Sequence, residues 1–407
     1  MEKTILVVLD AFRHDYIDPE LTPFLFSLLD SSKYYKKIIP SYGFCERTEI
    51  MVGLEPSESN YFTAIGYDSD YSPYKHISGL LKLLSRVEKS SPRLVNKVIR
   101  RLLWEYISRR DYGFASVNIP MNSLAHFSLT EDGKDSIINS SPESIINLAR
   151  KFEKTVSLSS FTSLDSKMMG NDDDRIENLI SEVSESNDSL YLLYISSADH
   201  FGHKYGPDSE PFKVELLNLD KKISELYKSV NNITEQVNWM FVGDHGMTEI
   251  EYKLDIIRSI DLALSEFKFG VDFIYFADST VFRVWYLDKA KEELINSKLV
   301  SLFSESEFFN KGHLTTETEI GLVGDRTYGD LLWLANPGVV INPDFFNTSN
   351  KELNGMHGYN PFLSETCFGM AILKGSKFST EHVDKSSLKC IYDEIRKIIC
   401  GKDEFKN

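Results

Sequence analysis

The stretch Val237-Asn-Trp-Met-Phe-Val-Gly-Asp-His-Gly-Met247 carries an apolar run directly into a corner that holds a carboxylate and an imidazole. The same arrangement occurs earlier, where Leu190-Tyr-Leu-Leu-Tyr-Ile195 leads into Ser197-Ala-Asp-His-Phe-Gly-His203. Short apolar runs of this kind predict buried strands. Side chains that follow such strands lie in the loops where α/β enzymes carry their chemistry. The sequence therefore predicts an α/β fold with a site at the strand ends.

Composition limits the classes of protein that the chain can be. Its 407 residues are enough for one large domain with insertions or for two domains. The hydrophobic share of 42% is that of a soluble globular protein, and every apolar run is far shorter than the roughly 20 residues of a membrane span. The net charge of −16 argues against general nucleic-acid binding, because phosphates would be repelled except at a local cationic site.

Two further features predict a cytoplasmic location. The chain starts with Met1-Glu-Lys-Thr-Ile-Leu-Val-Val-Leu-Asp10, which enters a strand without the pattern of a signal peptide. The four cysteines are too few and too scattered for a disulfide scaffold or a CxxC zinc site, so we expect reduced thiols.

The pattern of apolar residues predicts a core with two insertions. We assign residues 1–75, 176–250 and 322–407 to a metal-binding α/β core, 76–175 to a mainly helical cap, and 251–321 to a small α+β insertion. The cap is rich in lysine and arginine between His76 and Arg110. These cations form either a solvated helical face or a surface for an anionic substrate or an acidic membrane.

Candidate metal ligands follow the predicted strands or lie among glycines. Asp199 and His203 are four residues apart, so a helical turn would place them on one face. Asp244 and His245 lie at a strand-to-loop corner between two glycines, where both side chains can reach one ion. His357 lies in a similar glycine-flanked turn. This mixture of imidazoles and carboxylates suits Zn²⁺ or Mn²⁺ better than Mg²⁺ or Ca²⁺.

Five motifs in order resemble a known family. They are Val7-Val-Leu-Asp10, Gly53-Leu-Glu-Pro56, Asp199-His-Phe-Gly-His-Lys-Tyr-Gly-Pro207, Val242-Gly-Asp-His-Gly-Met247 and Met356-His-Gly-Tyr359. This series resembles the type I phosphodiesterase/nucleotide pyrophosphatase branch of the alkaline phosphatase superfamily. The resemblance spans nearly the whole chain apart from the two insertions.

The resemblance implies a doubly wound alkaline-phosphatase-like core with two divalent metal ions, usually zinc, at the carboxyl ends of its strands. In such sites one ion activates the attacking oxygen and the other stabilises the leaving oxygen. The family pattern implies two ligand sets: Asp199, His203 and His357 for one ion, and Asp10, Asp244 and His245 for the other.

The chain departs from the family at the nucleophile. The family places a Thr, Ser or Cys about ten positions before the glycine that corresponds to Gly53, and that position is Gly43. Three nearby side chains offer substitutes, those of Ser41, Cys45 and Thr48. Cys45 is the most nucleophilic of them, and Thr48 has the side-chain type common in this branch. Direct attack by metal-bound hydroxide, without a covalent intermediate, is a third possibility.

Two charged neighbours of Cys45 have predicted roles. Arg47 would stabilise negative charge on the transferred group. Glu46 is a possible orienting or acid–base partner.

The predicted function is hydrolysis of a small anionic phosphoester, with a phosphodiester or nucleotide-linked substrate favoured by the resemblance. Sulfate or phosphonate esters would suit the same two-metal chemistry. The alternatives are a transferase that passes a phospho-group to a glycan or lipid headgroup, and a metal-binding relative that has lost catalysis.

Overall fold

A computed structural model describes residues 2–88, 93–108, 118–130, 137–160, 171–186, 188–305, 307–347 and 352–401. Parts of the predicted cap, including Lys89, Arg109 and Arg110, lie outside the described residues.

The strands are numbered here in chain order. They are β1 Lys3–Leu9, β2 Lys33–Ile39, β3 Ile65–Tyr67, β4 Phe127–Leu129, β5 Val156–Ser160, β6 Leu190–Ile195, β7 Val237–Gly243, β8 Thr248–Glu249, β9 Tyr252–Leu254, β10 Phe273–Ala277, β11 Val281–Tyr286, β12 Gly312–Thr315, β13 Leu331–Ala335, β14 Val339–Ile341, β15 Gly355–Met356, β16 Gly369–Lys374 and β17 Glu381–Ser387.

The α-helices are numbered in the same way. They are α1 Pro23–Ser27, α2 Glu46–Val52, α3 Pro56–Ser59, α4 Ser78–Glu88, α5 Arg93–Ser108, α6 Ile137–Ser140, α7 Ile145–Lys151, α8 Asp172–Glu185, α9 Ser197–Tyr205, α10 Glu210–Ile233, α11 Ile256–Ala263, α12 Glu292–Phe303 and α13 Lys389–Cys400. Each helix in the described part of the chain is too short or too polar to cross a lipid bilayer.

A seven-stranded sheet in the order β17-β2-β16-β7-β1-β6-β5 forms the largest part of the fold. Its central strands β7, β1 and β6 run parallel, while β16 runs antiparallel to both of its neighbours. The sheet is therefore mixed. Successive side chains of a strand point to opposite faces, so an apolar strand buried on both faces must be covered by helices on both sides.

Helices cover both faces of this sheet. Ile5 and Val7 of β1 pack in one apolar cluster, to which α8 and α10 contribute. The alternate residues Leu6 and Val8 pack in a second cluster with residues of α2, α7 and α13. This arrangement confirms the predicted doubly wound α/β core.

The chain forms two compact units. The first consists of the described residues of Met1–Glu55, Lys134–Ile250 and Glu352–Asn407, and it contains the seven-stranded sheet. The second consists of those of Pro56–Gly133 and Glu251–Lys351. It contains α4, α5 and an antiparallel sheet in the order β10-β11-β13-β12.

The residue ranges of these two units differ from the ranges predicted for the core, the cap and the α+β insertion. Residues 137–160, expected in the helical cap, lie in the first unit, and β13, expected in the α/β core, lies in the antiparallel sheet of the second. An apolar run such as Leu331–Ala335 has the same pattern in either sheet, which explains the difference. The division into independently folding domains stays a prediction.

Helix α10 provides a test of the core. Leu219 is buried in the apolar cluster on one face of the sheet, whereas Leu217 on the same helix is exposed. Leu219→Ala should lower the free energy of unfolding by about 2–5 kcal/mol, because it leaves a cavity in a packed core. Leu217→Ala is the matched control and should change it by less than about 0.5 kcal/mol. Urea denaturation would measure both, and equal effects would contradict this packing.

Candidate two-metal centre

Three neighbouring parallel strands bring predicted ligands to one edge of the sheet. Leu9 at the end of β1 is level with Gly243 on β7 and with Ile195 on β6. The residues that follow these strands therefore leave the sheet side by side. Asp10 directly follows β1, and Asp244 directly follows β7. Helix α9 begins two residues after β6 ends.

The first ligand cluster consists of Asp199, His203 and His357. Asp199 and His203 share one face of α9, and Nε2 of His203 is 3.0 Å from Oδ1 of Asp199. Nε2 of His357 is 3.3 Å from the same oxygen. Nδ1 of His203 lies 2.7 Å from the carbonyl oxygen of Gly355, to which it donates. That hydrogen bond leaves Nε2 as the atom that can bind a metal.

The second cluster consists of Asp10, Asp244 and His245. Nε2 of His245 is 3.1 Å from Oδ1 of Asp10 and 3.8 Å from Oδ1 of Asp244. Nδ1 of His245 lies 2.8 Å from the carbonyl oxygen of Gly246, so Nε2 again faces the carboxylates. The backbone N–H of Ala11 donates to Asp244 over 3.2 Å and orients that carboxylate.

The two clusters adjoin each other. The rings of His245 and His357 stack with centroids 4.2 Å apart, although the two residues belong to different clusters. Within each cluster the ligand atoms lie within 4.8 Å of one another. One cluster offers two imidazoles and one carboxylate, and the other offers one imidazole and two carboxylates. These donor sets fit two divalent ions such as zinc.

Burial and neighbouring charges shift the pKa values of the carboxyl groups. Burial raises the pKa of Asp10, and the charge of Asp199 raises it further. Burial also raises the pKa of Asp244 well above its ordinary value. Burial opposes ionisation of Asp199 too, but the imidazoles of His203 and His357 hold its pKa well below the usual range. Bound cations would stabilise all three carboxylates in their ionised forms.

The imidazoles respond to the same environment in opposite ways. Burial disfavours the charged form of His245, yet the carboxylates of Asp244 and Asp10 raise its pKa well above normal. Burial lowers the pKa of His357 to about 4, and the neighbouring His245 acts in the same direction. His357 is therefore neutral at physiological pH, which is the form that binds a metal.

Two residues that the sequence analysis missed support the ligands. The Tyr194 hydroxyl on β6 makes a hydrogen bond to Asp10. The ring of Phe44 contacts His357 edge-on, with centroids 5.3 Å apart, and fills the space beside Gly358. Only the aromatic character of Tyr194 and Phe44 is visible in the sequence, and it gives no indication that they lie beside ligands far along the chain.

The predicted catalytic side chains lie around the start of α2. Cys45 is the residue that precedes the helix, and it is buried with its thiol 3.7 Å from the carbonyl oxygen of Tyr42. Thr48 is fully buried in the first turn, and Arg47 is half-buried. Their catalytic roles stay predictions.

A small cavity beside the ligands shows which part of this loop faces the centre. Gly43 and Glu46 line it, whereas Cys45, Arg47 and Thr48 do not. The charge of Glu46 also acts on Asp244 and His245. Glu46, the first residue of α2, is therefore the carboxylate of this segment that faces the ligand clusters. The full lining is Pro40, Ser41, Gly43, Glu46, His245, Gly246, His357, Gly358, Tyr359 and Cys367.

A buried acid anchors the same loop. The carboxylate of Glu49 on α2 accepts a hydrogen bond from the backbone N–H of Ser41 over 2.9 Å. Burial raises the pKa of Glu49 to about 8, and the charges of Glu46 and Glu55 act in the same direction. Glu49 is therefore mostly protonated at neutral pH.

The fold is similar to that of solved ectonucleotide pyrophosphatases/phosphodiesterases. Murine ectonucleotide pyrophosphatase/phosphodiesterase 5, solved as an inactive variant in complex with AMP, has a similar fold with a TM-score of 0.67 at 16% identity. The match covers 98% of this chain and 95% of that one. The human protein of the same name gives a TM-score of 0.66 at 15% identity with the same coverage.

The chain belongs to the type I phosphodiesterase/nucleotide pyrophosphatase family, whose sequence model matches residues 4–360. Enzymes of this family depend on metal ions.

Curated relatives match shorter parts of the chain. GPI ethanolamine phosphate transferase 2 of Schizosaccharomyces pombe is 38% identical over 106 residues, which are 25% of this chain and 14% of that protein. Human ectonucleotide pyrophosphatase/phosphodiesterase family member 7 is 30% identical over 78 residues, 19% of this chain and 17% of that protein. An uncharacterized pyrophosphatase/phosphodiesterase of S. pombe is 24% identical over 252 residues, 60% and 45% of the two chains. The chain thus matches less than half the length of each relative.

Removal of one ligand should lower the metal content. We expect the protein to bind about two Zn²⁺ ions per chain, and His357→Ala to bind about one, because it leaves its cluster with two ligands. His382→Ala is the matched control, since His382 is exposed on β17. Elemental analysis after gel filtration would count the ions. An unchanged zinc content in His357→Ala would contradict the ligand assignment.

Glu49 should make stability depend on pH. Its folded pKa of about 8 lies above the ordinary 4.5, so its contribution to stability is full below pH 4.5 and is lost as pH rises through 8. Glu49→Gln keeps the site neutral, so it should match the unaltered protein near pH 5. Near pH 9 it should be more stable, by on the order of 4 kcal/mol.

Denaturation at both pH values would measure this difference. Glu20→Gln, a change at an exposed position, is the control and should have little effect at either pH. A Glu49→Gln variant that is equally destabilised at both pH values would show that Glu49 is ionised in the folded protein.

Proposed function

We propose that this protein is a metal-dependent phosphodiesterase that hydrolyses a phosphate diester or a nucleotide-linked pyrophosphate. The observation that carries the proposal is the pair of adjoining ligand clusters, with His245 and His357 stacked at 4.2 Å. Paired ligand sets of this composition are typical of enzymes that displace an oxygen in line at phosphorus. The family match over residues 4–360 supports the same chemistry.

The donor atoms support zinc as the bound metal, with Mn²⁺ as the alternative. Imidazole nitrogens and carboxylate oxygens in mixed sets suit these ions, whereas sites with oxygen ligands alone favour Mg²⁺ or Ca²⁺. When bound, the ions would withdraw charge from the phosphoryl oxygens and make the attacking hydroxyl more acidic. The residues that would hold them are Asp199, His203 and His357 for one ion, and Asp10, Asp244 and His245 for the other.

The conformation of Gly43 supports attack without a protein nucleophile. This position, where the family resemblance puts a nucleophile, has a φ of 108°, which glycine adopts readily and side-chain-bearing residues rarely do. A Thr, Ser or Cys would be strained in this loop conformation. The attacking group is then a hydroxyl from outside the chain, either water or an acceptor alcohol.

Glu46 is suited to take the proton of that hydroxyl. It lines the cavity beside His245 and His357. In the proposed step the hydroxyl oxygen bonds to phosphorus while the bond from phosphorus to the leaving oxygen breaks. The hydroxyl proton passes to the carboxylate of Glu46, and the leaving oxygen takes a proton from solvent.

A covalent intermediate on Cys45 or Thr48 is the alternative mechanism. Both side chains are buried, and the cavity is lined by Gly43 and Glu46 instead. Cys45 would therefore need a movement of the loop before α2, and Thr48 a movement of the first turn of α2. Arg47 stays the candidate for stabilising charge on the transferred group, and it too would have to move, because it does not line the cavity.

A second candidate function is transfer of a phospho-group to a glycan or lipid acceptor. The similarity to GPI ethanolamine phosphate transferase 2 of S. pombe, 38% over 106 residues, favours it. Water and an acceptor alcohol both attack through a hydroxyl oxygen, so one set of residues can serve hydrolysis and transfer. The two functions differ in what supplies the hydroxyl.

We also propose that the protein is cytoplasmic. The four cysteines, all among the described residues, lie outside any disulfide, which suits a reducing compartment.

The two mechanisms predict opposite stereochemistry at phosphorus. Hydrolysis of a phosphorothioate diester of defined configuration in isotopically labelled water should invert phosphorus, because one in-line displacement inverts it and two restore it. Glu46→Gln should lower kcat about 10²- to 10⁴-fold while zinc content stays the same. Glu20→Gln, at an exposed position, is the control.

Other outcomes would assign other functions. Retention of configuration, with activity lost in Cys45→Ala or Thr48→Ala, would establish a covalent intermediate and contradict direct attack. Turnover only after an acceptor alcohol is added would establish the transferase. Folded, zinc-loaded protein without turnover in either assay would indicate a catalytically silent metal-binding relative.

A further inference from the structure

Helices α4 and α5 carry positive charge in a strongly negative protein. Between residues 76 and 110 the sequence has nine lysines and arginines and two glutamates, whereas the whole chain has a net charge of −16. Arg100 donates to the carbonyl oxygen of Ile119 and pairs with Glu88, so it serves the fold of the second unit. Other cations of the two helices are exposed: Lys82, Arg86, Lys97 and Arg101.

Helix α5 has an exposed apolar stripe. Leu94, Val98 and Leu102 are 76%, 58% and 60% exposed, and the exposed Tyr106 continues the series. Residues four apart lie on one face of a helix, so these side chains form a continuous stripe. A single exposed leucine needs no explanation, but a row of four exposed hydrophobic side chains does.

This stripe is separate from the face that holds α5 in its unit. Leu103 and Ile107 are buried and lie on the other side of the helix. Lys97 and Arg101 flank the exposed stripe along one edge, and Arg101 pairs with Glu105 over 3.1 Å. The helix therefore has a buried apolar face, an exposed apolar face and a row of cations at the edge of the latter.

Helix α4 repeats the pattern on a shorter length. Leu80, Leu83 and Val87 are exposed and share one face by their spacing, while Leu81 is buried. Lys82 and Arg86 lie next to that exposed face.

We propose that α4 and α5 dock on an anionic lipid surface. An apolar stripe with cations at its edge is the pattern of a helix that lies in the plane of a membrane interface. Its apolar side chains enter the headgroup boundary, while lysine and arginine extend their charges toward lipid phosphates. Tyr106 at the end of the stripe has the kind of amphipathic ring that is enriched at this depth.

Charge distinguishes lipid from the other possible occupants of the stripe. A second copy of this chain would bring like charges together along the same helices. Nucleic acid would neutralise the cations but leave the apolar stripe in water. An anionic bilayer complements both features, and the cytoplasmic leaflet has such a charge. The proposal does not rest on the catalytic activity.

Binding to lipid vesicles tests the proposal without an enzyme assay. Zinc-loaded full-length protein would be mixed with vesicles of phosphatidylcholine alone or with about 30% phosphatidylserine, and the bound fraction measured by flotation. We expect partitioning to be at least about tenfold stronger on the anionic vesicles and to weaken with added salt.

Two double variants separate the two features of the surface. Leu94→Ser with Leu102→Ser removes apolar area, and Lys97→Glu with Arg101→Glu reverses charge; each should lower partitioning at least about tenfold. Both pairs are exposed, so the fold should remain, and circular dichroism would check it. Lys221→Glu with Lys228→Glu, at exposed positions of α10, is the matched charge control.

Several results would overturn the proposal. Equal partitioning on neutral and anionic vesicles would do so, as would equal loss in the α10 control, which would indicate an effect of net charge only. A concentration-dependent dimer in solution that Leu94→Ser with Leu102→Ser abolishes, without vesicle binding, would assign the stripe to a second copy of the chain.

Discussion

The centre depends on the register of three parallel strands. Hydrogen bonds between β7, β1 and β6 hold Gly243, Leu9 and Ile195 level, so that the side chains after them converge. A slip of one residue would turn every side chain of a strand to the opposite face. In β1 it would exchange Val7 with Leu6 or Val8 between two packed cores and displace Asp10 from its partners. The ligand distances are thus set by the packing of the whole sheet.

Packing charged groups at this edge opposes stability. Three carboxylates and three imidazoles share a largely buried space, and burial raises the pKa of both Asp10 and Asp244. The backbone is strained there as well, because Ala11 directly after Asp10 has a φ of 56°. Such unfavourable features persist only where the surrounding fold holds them in place, and divalent ions would offset the charge. The buried sheet around β1 supplies that support.

The sequence predicted the α/β core and the grouping of the ligands because each ligand follows an apolar run or lies among glycines. It could not predict contacts made between distant residues. Phe44 against His357 is one example, and the raised pKa of Glu49 is another, because both depend on how remote segments pack. Nor could it assign Leu331–Ala335 to a sheet, since buried strands of different sheets look alike.

The shape of the loop before α2 favours one of the two proposed mechanisms. A nucleophile must reach phosphorus from a fixed position beside the ligands, and here that position is a glycine with a φ of 108°. The loop is held at its start by Glu49, whose buried carboxyl group accepts from the N–H of Ser41. Bringing Cys45 to the cavity would require that loop to move and would displace Glu46 from the cavity wall. The same contacts that keep Cys45 in the core keep a carboxylate beside the ligands, which is why we propose proton transfer to Glu46 rather than covalent attack.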